Sequence, residues 1–540
     1  MMPMPKPTLF FPARAKLLLP ATVLLWSAAA IAQQTPAPVL ASASNPSFVI
    51  RGFDIVGDNP LSSSDVSRIL APYLRNDATI ETLQRATQAL EASLKERGYL
   101  LHRVALPPQE VGANVTLNIV KFVIGKVTIE GRAHYNESNL RNSLPELAEG
   151  TAPNFQTLAV QTAIANESPG KQVQVTLKES EEPDRIDARI LVKESKPWYV
   201  SVNAANTGSK ATGNDRTTLA AGHANIADLD HSLTLAFTTS MERPDDVRQY
   251  GLNYRIPMYR WGGVLGANFT QSDVQGDFGS FKSTGAGQTA GISYNHYLAP
   301  QGGFRSYLLL GVDDKQFNVT KINGVPLAGQ ATRRSLPLTL GYNARLESDL
   351  ATWGYNADVA INLPGGNGND LASYRTEDTR ISTASWTALH GGANYLAGLG
   401  RGWLWGVRGQ IQYSPDALIA GEQFGIGGAS SVRGTGERPI SGDSGVSLSG
   451  EITTPELVPG WRALGFVDAG WLSNNSPNAN KLASDNIASV GLGVRYVRSG
   501  LSLSADYGRV ITGSALPAAS GTTYPREGDD KLHINLTARF

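Results

Sequence analysis

Residues 531–540 read Lys-Leu-His-Ile-Asn-Leu-Thr-Ala-Arg-Phe and end the chain in a strict alternation. The apolar members would share one face of an extended strand: Leu532, Ile534, Leu536, Ala538 and Phe540. The polar members would share the other: His533, Asn535, Thr537 and Arg539. A transmembrane barrel strand needs about ten residues with this pattern and an aromatic residue near its end. Because lipid offers no partners to the backbone, such a sheet must close on itself. The stretch therefore predicts an all-β transmembrane barrel.

The same pattern recurs through the second part of the chain. We count sixteen such segments, starting near residues 198, 217, 231, 247, 261, 285, 303, 333, 351, 380, 401, 444, 461, 487, 500 and 531. Short connections alternate with long ones, as in outer-membrane barrels, and the N-terminal part lies on the short-turn side. A soluble propeller is disfavoured because no blade-length repeat occurs. The sequence predicts sixteen antiparallel strands over residues 197–540, enclosing an aqueous lumen.

Composition excludes several classes of protein. Of 540 residues only 17% are charged, and Lys+Arg and Asp+Glu balance at 47 each, so no nucleic-acid partner is expected. The chain has no cysteine. It also lacks a Gly-x4-Gly-Lys-Ser/Thr loop, a His-Glu-x-x-His motif and a Gly-x-Ser-x-Gly elbow. We therefore expect no enzyme, no catalytic residue, no metal site and no cofactor.

The N-terminus has the features of an export signal. Lys6, Arg14 and Lys16 precede a short apolar stretch, and Ala30-Ile31-Ala32 follows as a small-x-small cleavage site. We predict a signal peptide over residues 1–32 and a linker over 33–47. A membrane anchor is the alternative, but the apolar run is short for a span.

Between the linker and the barrel the same element order occurs twice, over residues 48–122 and 123–196. Each copy reads strand, helix, helix, strand, strand. With the strand end Ile129-Glu130-Gly131, this order resembles the POTRA domain, which implies two periplasmic modules that capture polypeptides. Any other small α+β pair remains the alternative. We expect the third strand of each copy to leave an edge open for pairing with an extended peptide.

One long loop, residues 414–443, stands out by its glycine content. It contains Phe424-Gly425-Ile426-Gly427-Gly428 and then Val432-Arg433-Gly434. Glycine at this density permits tight turns, and Arg433 is a fixed charge among them. If the loop folds into the lumen, Asp468 on strand thirteen is a natural partner for Arg433. Two separate solvated charges are the alternative.

These features together resemble the TpsB family, the outer-membrane transporters of two-partner secretion, also described as the hemolysin secretion/activation type within the superfamily that includes BamA. The resemblance implies that Val432, Arg433 and Gly434 form a loop motif inside the barrel. It implies that Asp468, flanked by Phe466 and Gly470, is the ion-pair partner of Arg433. It also implies that the terminal Phe540 is an assembly signal. The fourth motif position is usually aromatic and here is Thr435, which removes a stacking contact at the loop tip.

The resemblance also implies a function and partners. An unfolded exoprotein of the TpsA type would bind the POTRA domains and pass through the pore to the surface of a Gram-negative cell. Other partners would be outer-membrane lipid and the barrel-assembly machinery, which would read the C-terminal strand, and the transporter would be a monomer. Residues 33–47 are too short for a helix plus a linker inside the pore, so no helical plug is expected. The alternatives are an assembly factor of the BamA/TamA type, which usually has more POTRA copies, and a diffusion porin, which needs none.

Overall fold

The structure is a computed structural model that describes residues 47–540 except 111, 211, 274–275, 279–280, 284–285, 320, 323–324, 327–328, 479–480 and 518–523. The predicted signal peptide (1–32) and nearly all of the predicted linker (33–47) lie outside the described residues, as does the expectation about a plug.

Sixteen antiparallel strands close into a barrel, as the alternation predicts. In chain order, as barrel strands 1 to 16, they are Trp198–Ala205, Arg216–Ile226, His231–Thr239, Gln249–Met258, Gly263–Ser272, Gly287–Tyr297, Phe304–Phe317, Arg333–Ser335 with Pro337–Glu347, Ala351–Asn362, Thr387–Gly400, Trp403–Tyr413, Ser444–Thr453, Trp461–Ser473, Ser484–Arg498, Leu501–Thr512 and Asp530–Arg539. The apolar face points outward: Leu532, Ile534 and Leu536 are exposed, whereas His533 between them is buried. The alternation therefore separates a lipid-facing surface from a polar lumen.

The barrel closes where strand 16 pairs with strand 1. This seam has a short register, from Asn535 opposite Ala205 to Arg539 opposite Ser201. The side chain of Asn206 extends it, because its amide donates to the carbonyl of Leu532 at 2.6 Å and accepts from the N–H of Ile534 at 2.8 Å. Backbone groups beyond the ladder are thus still paired, as a lipid environment requires.

Barrel strand 10 begins later than the sequence pattern suggests. Its start was predicted near residue 380, but the strand runs from Thr387. The preceding segment holds a short helix, Leu371–Arg375, and buries Tyr374, Ile381 and Trp386 in an apolar cluster. Apolar residues that pack within a loop produce the same local signal as a strand facing lipid, which is why the pattern misplaced this start.

The first N-terminal domain is a three-stranded sheet covered by two helices. Its strands are Gly52–Gly57, His102–Ala105 and Asn114–Lys121, and its helices are Ser63–Leu70, followed by a 3-10 turn Ala71–Tyr73, and Ile80–Glu96. Buried Leu83, Ala86, Leu90 and Leu94 share one face of the longer helix and form the core with the sheet. Thr79 and Thr82 form a capping box at its start, and the side chain of Ser62 caps the shorter helix by accepting from the N–H of Asp65.

The second domain repeats this arrangement. Its strands are Val123–Glu130, Lys171–Glu179 and Arg185–Glu194, with helices Glu137–Ser143 and Phe155–Ala165 and a 3-10 turn Pro145–Leu147. Among the described residues, no helix is both long and apolar enough to cross a membrane.

The strand order corrects one expectation. In both domains the third strand lies in the centre of the sheet, parallel to the first strand and antiparallel to the second. Both of its sides are therefore paired, and the prediction that it leaves an open edge was wrong. The edges belong to the first and second strands. The first and third strands of each domain pair in parallel, and this pairing places the third strand between the first and the second.

Candidate functional site

The glycine-rich loop folds back as a hairpin with a compact tip. Phe424–Ile426 pairs with Ile440–Gly442, and the tip between them turns through Gly427 and Gly428, whose φ angles are 110° and 94°. These angles favour glycine, which has no Cβ. The apolar side of the tip packs on the barrel wall, where Val432 and Ile426 are fully buried with Leu472 and Ile487. The tip is therefore a folded element seated on the wall.

Three luminal residues of barrel strand 13, spaced two apart, receive this tip. The guanidinium carbon of Arg433 lies over the ring of Phe466, 3.5 Å from the ring centroid. The carboxylate of Asp468 binds the same guanidinium. A Cβ on Gly470 would lie 2.7 Å from Cδ1 of Ile426, so this position must be small for the tip to seat. One face of strand 13 thus supplies an aromatic ring, a carboxylate and a position without a side chain, and all three contact the tip.

Arg433 and Asp468 form a buried bidentate pair. Nε donates to Oδ2 at 2.7 Å and Nη2 to Oδ1 at 2.8 Å, while the backbone N–H of Arg433 donates to Oδ2 at 3.1 Å. The side chains are 2% and 0% exposed. Two parallel bonds fix the plane of the guanidinium as well as its position. The structure therefore brings together the two residues that the sequence named.

Three further groups complete the cradle and were not found from the sequence. Nη1 of Arg433 lies 2.6 Å from Oε1 of Glu451 and 3.8 Å from Oδ2 of Asp506. Nη2 also donates to the hydroxyl of Ser449 at 3.2 Å. Asp506 is itself held by Arg495 at 2.7 Å. One guanidinium thus faces carboxylates from barrel strands 12, 13 and 15, a charge cluster that ties the loop to that section of the wall.

The tip also touches the last two strands through its backbone. A Cβ on Gly434 would lie 2.7 Å from the carbonyl carbon of Gly508, so the two backbones are in direct contact. The N–H of Gly434 donates to Nε2 of His533 at 3.0 Å. Thr435 turns inward, accepting from the N–H of Gly428 and donating to the carbonyl of Val432, both at 2.9 Å. In this chain the fourth motif residue therefore braces the tip internally.

The root of the loop is anchored separately. The fully buried Asp443 accepts from the N–H of Leu418 at 3.0 Å, the N–H of Asn475 at 2.9 Å and Nη1 of Arg380 at 3.0 Å. Arg380 comes from the neighbouring long loop, whose Tyr374 and Trp386 share an apolar cluster with Leu418. Root and tip are therefore held by different partners.

A second polar cluster joins the second N-terminal domain to the barrel. Nζ of Lys171 lies 2.6 Å from Oδ2 of Asp230, in the turn between barrel strands 2 and 3, and donates to Oδ1 of Asn139 at 2.8 Å. The hydroxyl of Tyr259 donates to the same carboxylate at 2.6 Å. Burial lowers the pKa of Lys171, an effect that Asp230 opposes. Around this pair, Tyr259 and Tyr297 of the barrel pack into the domain core, so the junction is a continuous core.

Phe540 lies at the seam. Its N–H donates to the carbonyl of Val200 at 2.9 Å, and its ring is 75% exposed on the outer face. No cluster of three or more His, Asp and Glu side chains suited to a metal occurs among the residues that the structure describes.

Comparison with known families gives two matches. A family model described as haemolysin secretion/activation protein ShlB/FhaC/HecB matches residues 185–496. A model of the ShlB-type POTRA domain matches residues 48–121.

Individual proteins and solved structures agree with these matches. The outer membrane transporter CdiB of Escherichia coli is 23% identical over 468 residues, 82% of this chain and 76% of the relative. CdiB of Dickeya dadantii (strain 3937) is 22% identical over 477 residues, 84% of this chain and 81% of the relative. The structure of CdiB from Escherichia coli superposes with a TM-score of 0.71 at 21% identity, covering 94% of this chain and 93% of that one. CdiB from Acinetobacter baumannii gives 0.69 at 17% identity, covering 94% and 95%.

Proposed function

The chain belongs to the haemolysin secretion/activation protein family, and from this premise we propose that it carries one large exoprotein across the outer membrane in two-partner secretion. It is an outer-membrane β-barrel whose POTRA domains lie in the periplasm. The observation that carries the proposal is the folded loop tip, held on the luminal wall by a single guanidinium among three carboxylates. A loop held by charges facing an aqueous lumen can be released without unfolding the barrel.

Transport of this kind requires no catalytic step. The exoprotein arrives unfolded and passes through the lumen, and folding at the surface prevents its return. The cradle of Arg433 and Asp468 sets the resting position of the loop, and displacement of the tip widens the path. The solvated lumen stabilises the separated charges after release, which keeps the change reversible.

Recognition of the exoprotein is proposed to use a strand edge of the second POTRA domain. In the edge strand Lys171–Glu179, the side chain of Asn166 binds the backbone N–H and carbonyl of Val173 at 2.6 and 3.0 Å. By the alternation of an antiparallel ladder, the backbone groups of Val175 and Leu177 face the same outward side. An extended segment can pair there through its backbone, largely independently of its side chains. The strand begins at the barrel junction, so a segment bound along it is directed toward the pore.

The remaining partners follow from the barrel itself. The apolar outer face contacts outer-membrane lipid, the C-terminal strand ending in Phe540 is the signal for the barrel-assembly machinery, and closure within one chain suits a monomer.

Secretion tests this function directly. We expect deletion of the chain to remove one large exoprotein from the medium and cell surface, measured by mass spectrometry, and complementation to restore it. The variant Arg433→Ala should lower secretion, whereas Arg408→Ala, an arginine on the luminal face of barrel strand 11, should not. A general fall in barrel proteins would instead indicate an assembly factor of the BamA/TamA type, and an unchanged secretome would support a porin.

The edge strand has its own test. Val175→Pro removes an outward N–H while leaving the ladder to the central strand intact. Val175→Ala removes a similar amount of side chain but keeps the N–H. We expect binding of an extended peptide from the exoprotein, measured by calorimetry, to weaken in the proline variant alone. Equal affinities for the two variants would contradict recognition through this edge.

A further inference from the structure

The hydrogen bond between Gly434 and His533 connects the loop tip to the last strand of the barrel. The N–H of Gly434 donates to Nε2 of His533 at 3.0 Å. The imidazole is 4% exposed, and its Nδ1 is buried without a hydrogen-bond partner in the part of the chain that the structure describes. In the sequence His533 is one more polar residue of an alternating strand, so the alternation alone does not distinguish it.

The direction of this bond fixes the protonation state of the ring. A backbone N–H is only a donor, so Nε2 must accept and the ring must be neutral, with its hydrogen on Nδ1. A proton on Nε2 would place two donors opposite each other at hydrogen-bond distance. The contact therefore exists only for the neutral imidazole.

The tip cannot easily shift to avoid such a change. A Cβ on Gly508 would lie 2.6 Å from the nitrogen of Gly434, so the backbone of strand 15 is in direct contact with the tip backbone. Because the backbone of Gly508 blocks movement in that direction, protonation of His533 must act on the hydrogen bond between Gly434 and His533.

Several charges face His533. Asp506 lies directly opposite it in the ladder with strand 15, and Lys531 lies two residues away on its own strand. Arg433 and Asp468 approach it from the loop and strand 13. The first strand, Trp198–Ala205, carries no charged side chain. Both carboxylate oxygens of Asp506 already accept from Arg495, at 2.7 and 2.9 Å, so the ring is bound by Gly434 and not by this carboxylate.

We propose that His533 is a positioning residue for the loop: its neutral imidazole holds the backbone of the Val432-Arg433-Gly434 motif on the wall, and protonation at Nε2 releases that hold. The role of this switch in secretion rests on the proposed function. Its test does not, because it measures the channel without an exoprotein. The outer membrane lets protons equilibrate with the medium, so acid in the surroundings favours release of the tip. Arg433 and Asp468 are not titrated in this step. Protonation of His533 therefore shifts the equilibrium between the seated and the released tip, and does not by itself break the ion pair.

The test is the single-channel conductance of the purified full-length chain in planar bilayers at about pH 7.5 and about pH 5, on either side of the ordinary histidine range. His533→Gln keeps an acceptor that does not titrate in this range. His533→Phe fills the space but cannot accept. His390→Gln is the matched control, because His390 also lies on the luminal wall, where its Nδ1 is 2.7 Å from Asp358.

We expect acid to raise the ratio of open to closed states of the unmodified chain by roughly 5- to 30-fold, the range for losing one buried hydrogen bond. His533→Gln should stay closed at both pH values. His533→Phe should be open at both. His390→Gln should keep the full response to pH.

Two results would overturn the proposal: a normal pH response in His533→Gln, or a His533→Phe channel that closes normally at neutral pH. If His533→Phe fails to assemble, the comparison of His533→Gln with His390→Gln decides alone. Conductance needs no exoprotein, so a chain that shows this response but secretes nothing would refute the proposed function and leave the role of His533 standing.

Discussion

The carboxylate of Asp468 should control how long the loop tip stays on the wall, and Asp468→Asn is the sharpest way to perturb it. The side chain keeps its size, but only one oxygen remains to accept. The carboxylate now accepts from the backbone N–H, Nε and Nη2 of Arg433. In the variant an amide NH2 faces one of these donors, so a charge-assisted bond is replaced by a contact between donors.

The size of the effect follows from the remaining partners. Breaking a buried pair so that one charge is left alone costs about 3–5 kcal/mol. Here Glu451 still lies 2.6 Å from Nη1 of Arg433, so the guanidinium is not left alone. We therefore expect about 2 kcal/mol, which corresponds to roughly a 30-fold rise in the released fraction. The pair Arg433→Met with Asp468→Asn should add little to either single change, because both remove the same interaction.

The absence of native cysteine makes the assay simple. Val432 belongs to the tip and is fully buried against the wall, so Val432→Cys reacts with a water-soluble maleimide only after the tip leaves the wall. When closing is faster than labelling, the rate reports the released fraction. The control is Asp358→Asn, which removes a luminal carboxylate of strand 9 that is paired with His390 of strand 10. If Asp468→Asn speeds labelling no more than this control does, the ion pair does not hold the tip.

Three further outcomes follow from close contacts and burial. Gly508→Ala places a Cβ 2.6 Å from the tip backbone and should speed labelling in the same assay, whereas Gly450→Ala, which meets nothing within 4 Å, should not. Burial lowers the pKa of His102, so the first POTRA domain should lose stability as pH falls from about 6.5 through the lowered pKa, and His102→Phe should remove this dependence in hydrogen exchange corrected for intrinsic rates. Lys171→Met leaves a buried carboxylate without its cation, which costs about 3–5 kcal/mol and should raise exchange in the turn at residues 227–230; the exposed Lys178→Met on the same strand should not. Similar exchange in the two lysine variants would mean that the junction is held by its apolar contacts alone.

The sequence was informative wherever a local period decides the structure. Alternation located sixteen strands, and helical spacing located the helices of both N-terminal domains, because each signal comes from residues within one element. It also named Arg433 and Asp468, which the structure places 2.7 Å apart.

What the sequence could not supply is the relation between elements. Alternation assigns Glu451, Asp506 and His533 to the luminal face, but the stagger between strands decides which of them lie at the height of the loop tip. The central position of the third strand in each small domain has the same origin, since it depends on a parallel pairing between segments some sixty residues apart.

The two anchors of the long loop limit how it can move. The root is held by Asp443 and Arg380, which are 0% and 2% exposed and tie it to the neighbouring loop, whereas the tip is held by Arg433 and Asp468 on the wall. The hairpin turns into the tip at Gly427 and Gly428, whose positive φ angles favour glycine, and we expect the tip to pivot there. Release of the tip therefore requires no exit of the whole loop from the barrel. A spin label beside Asp443 should keep its distance to the barrel during secretion while one beside Arg433 moves, and joint movement of the two labels would show that the loop travels as a unit.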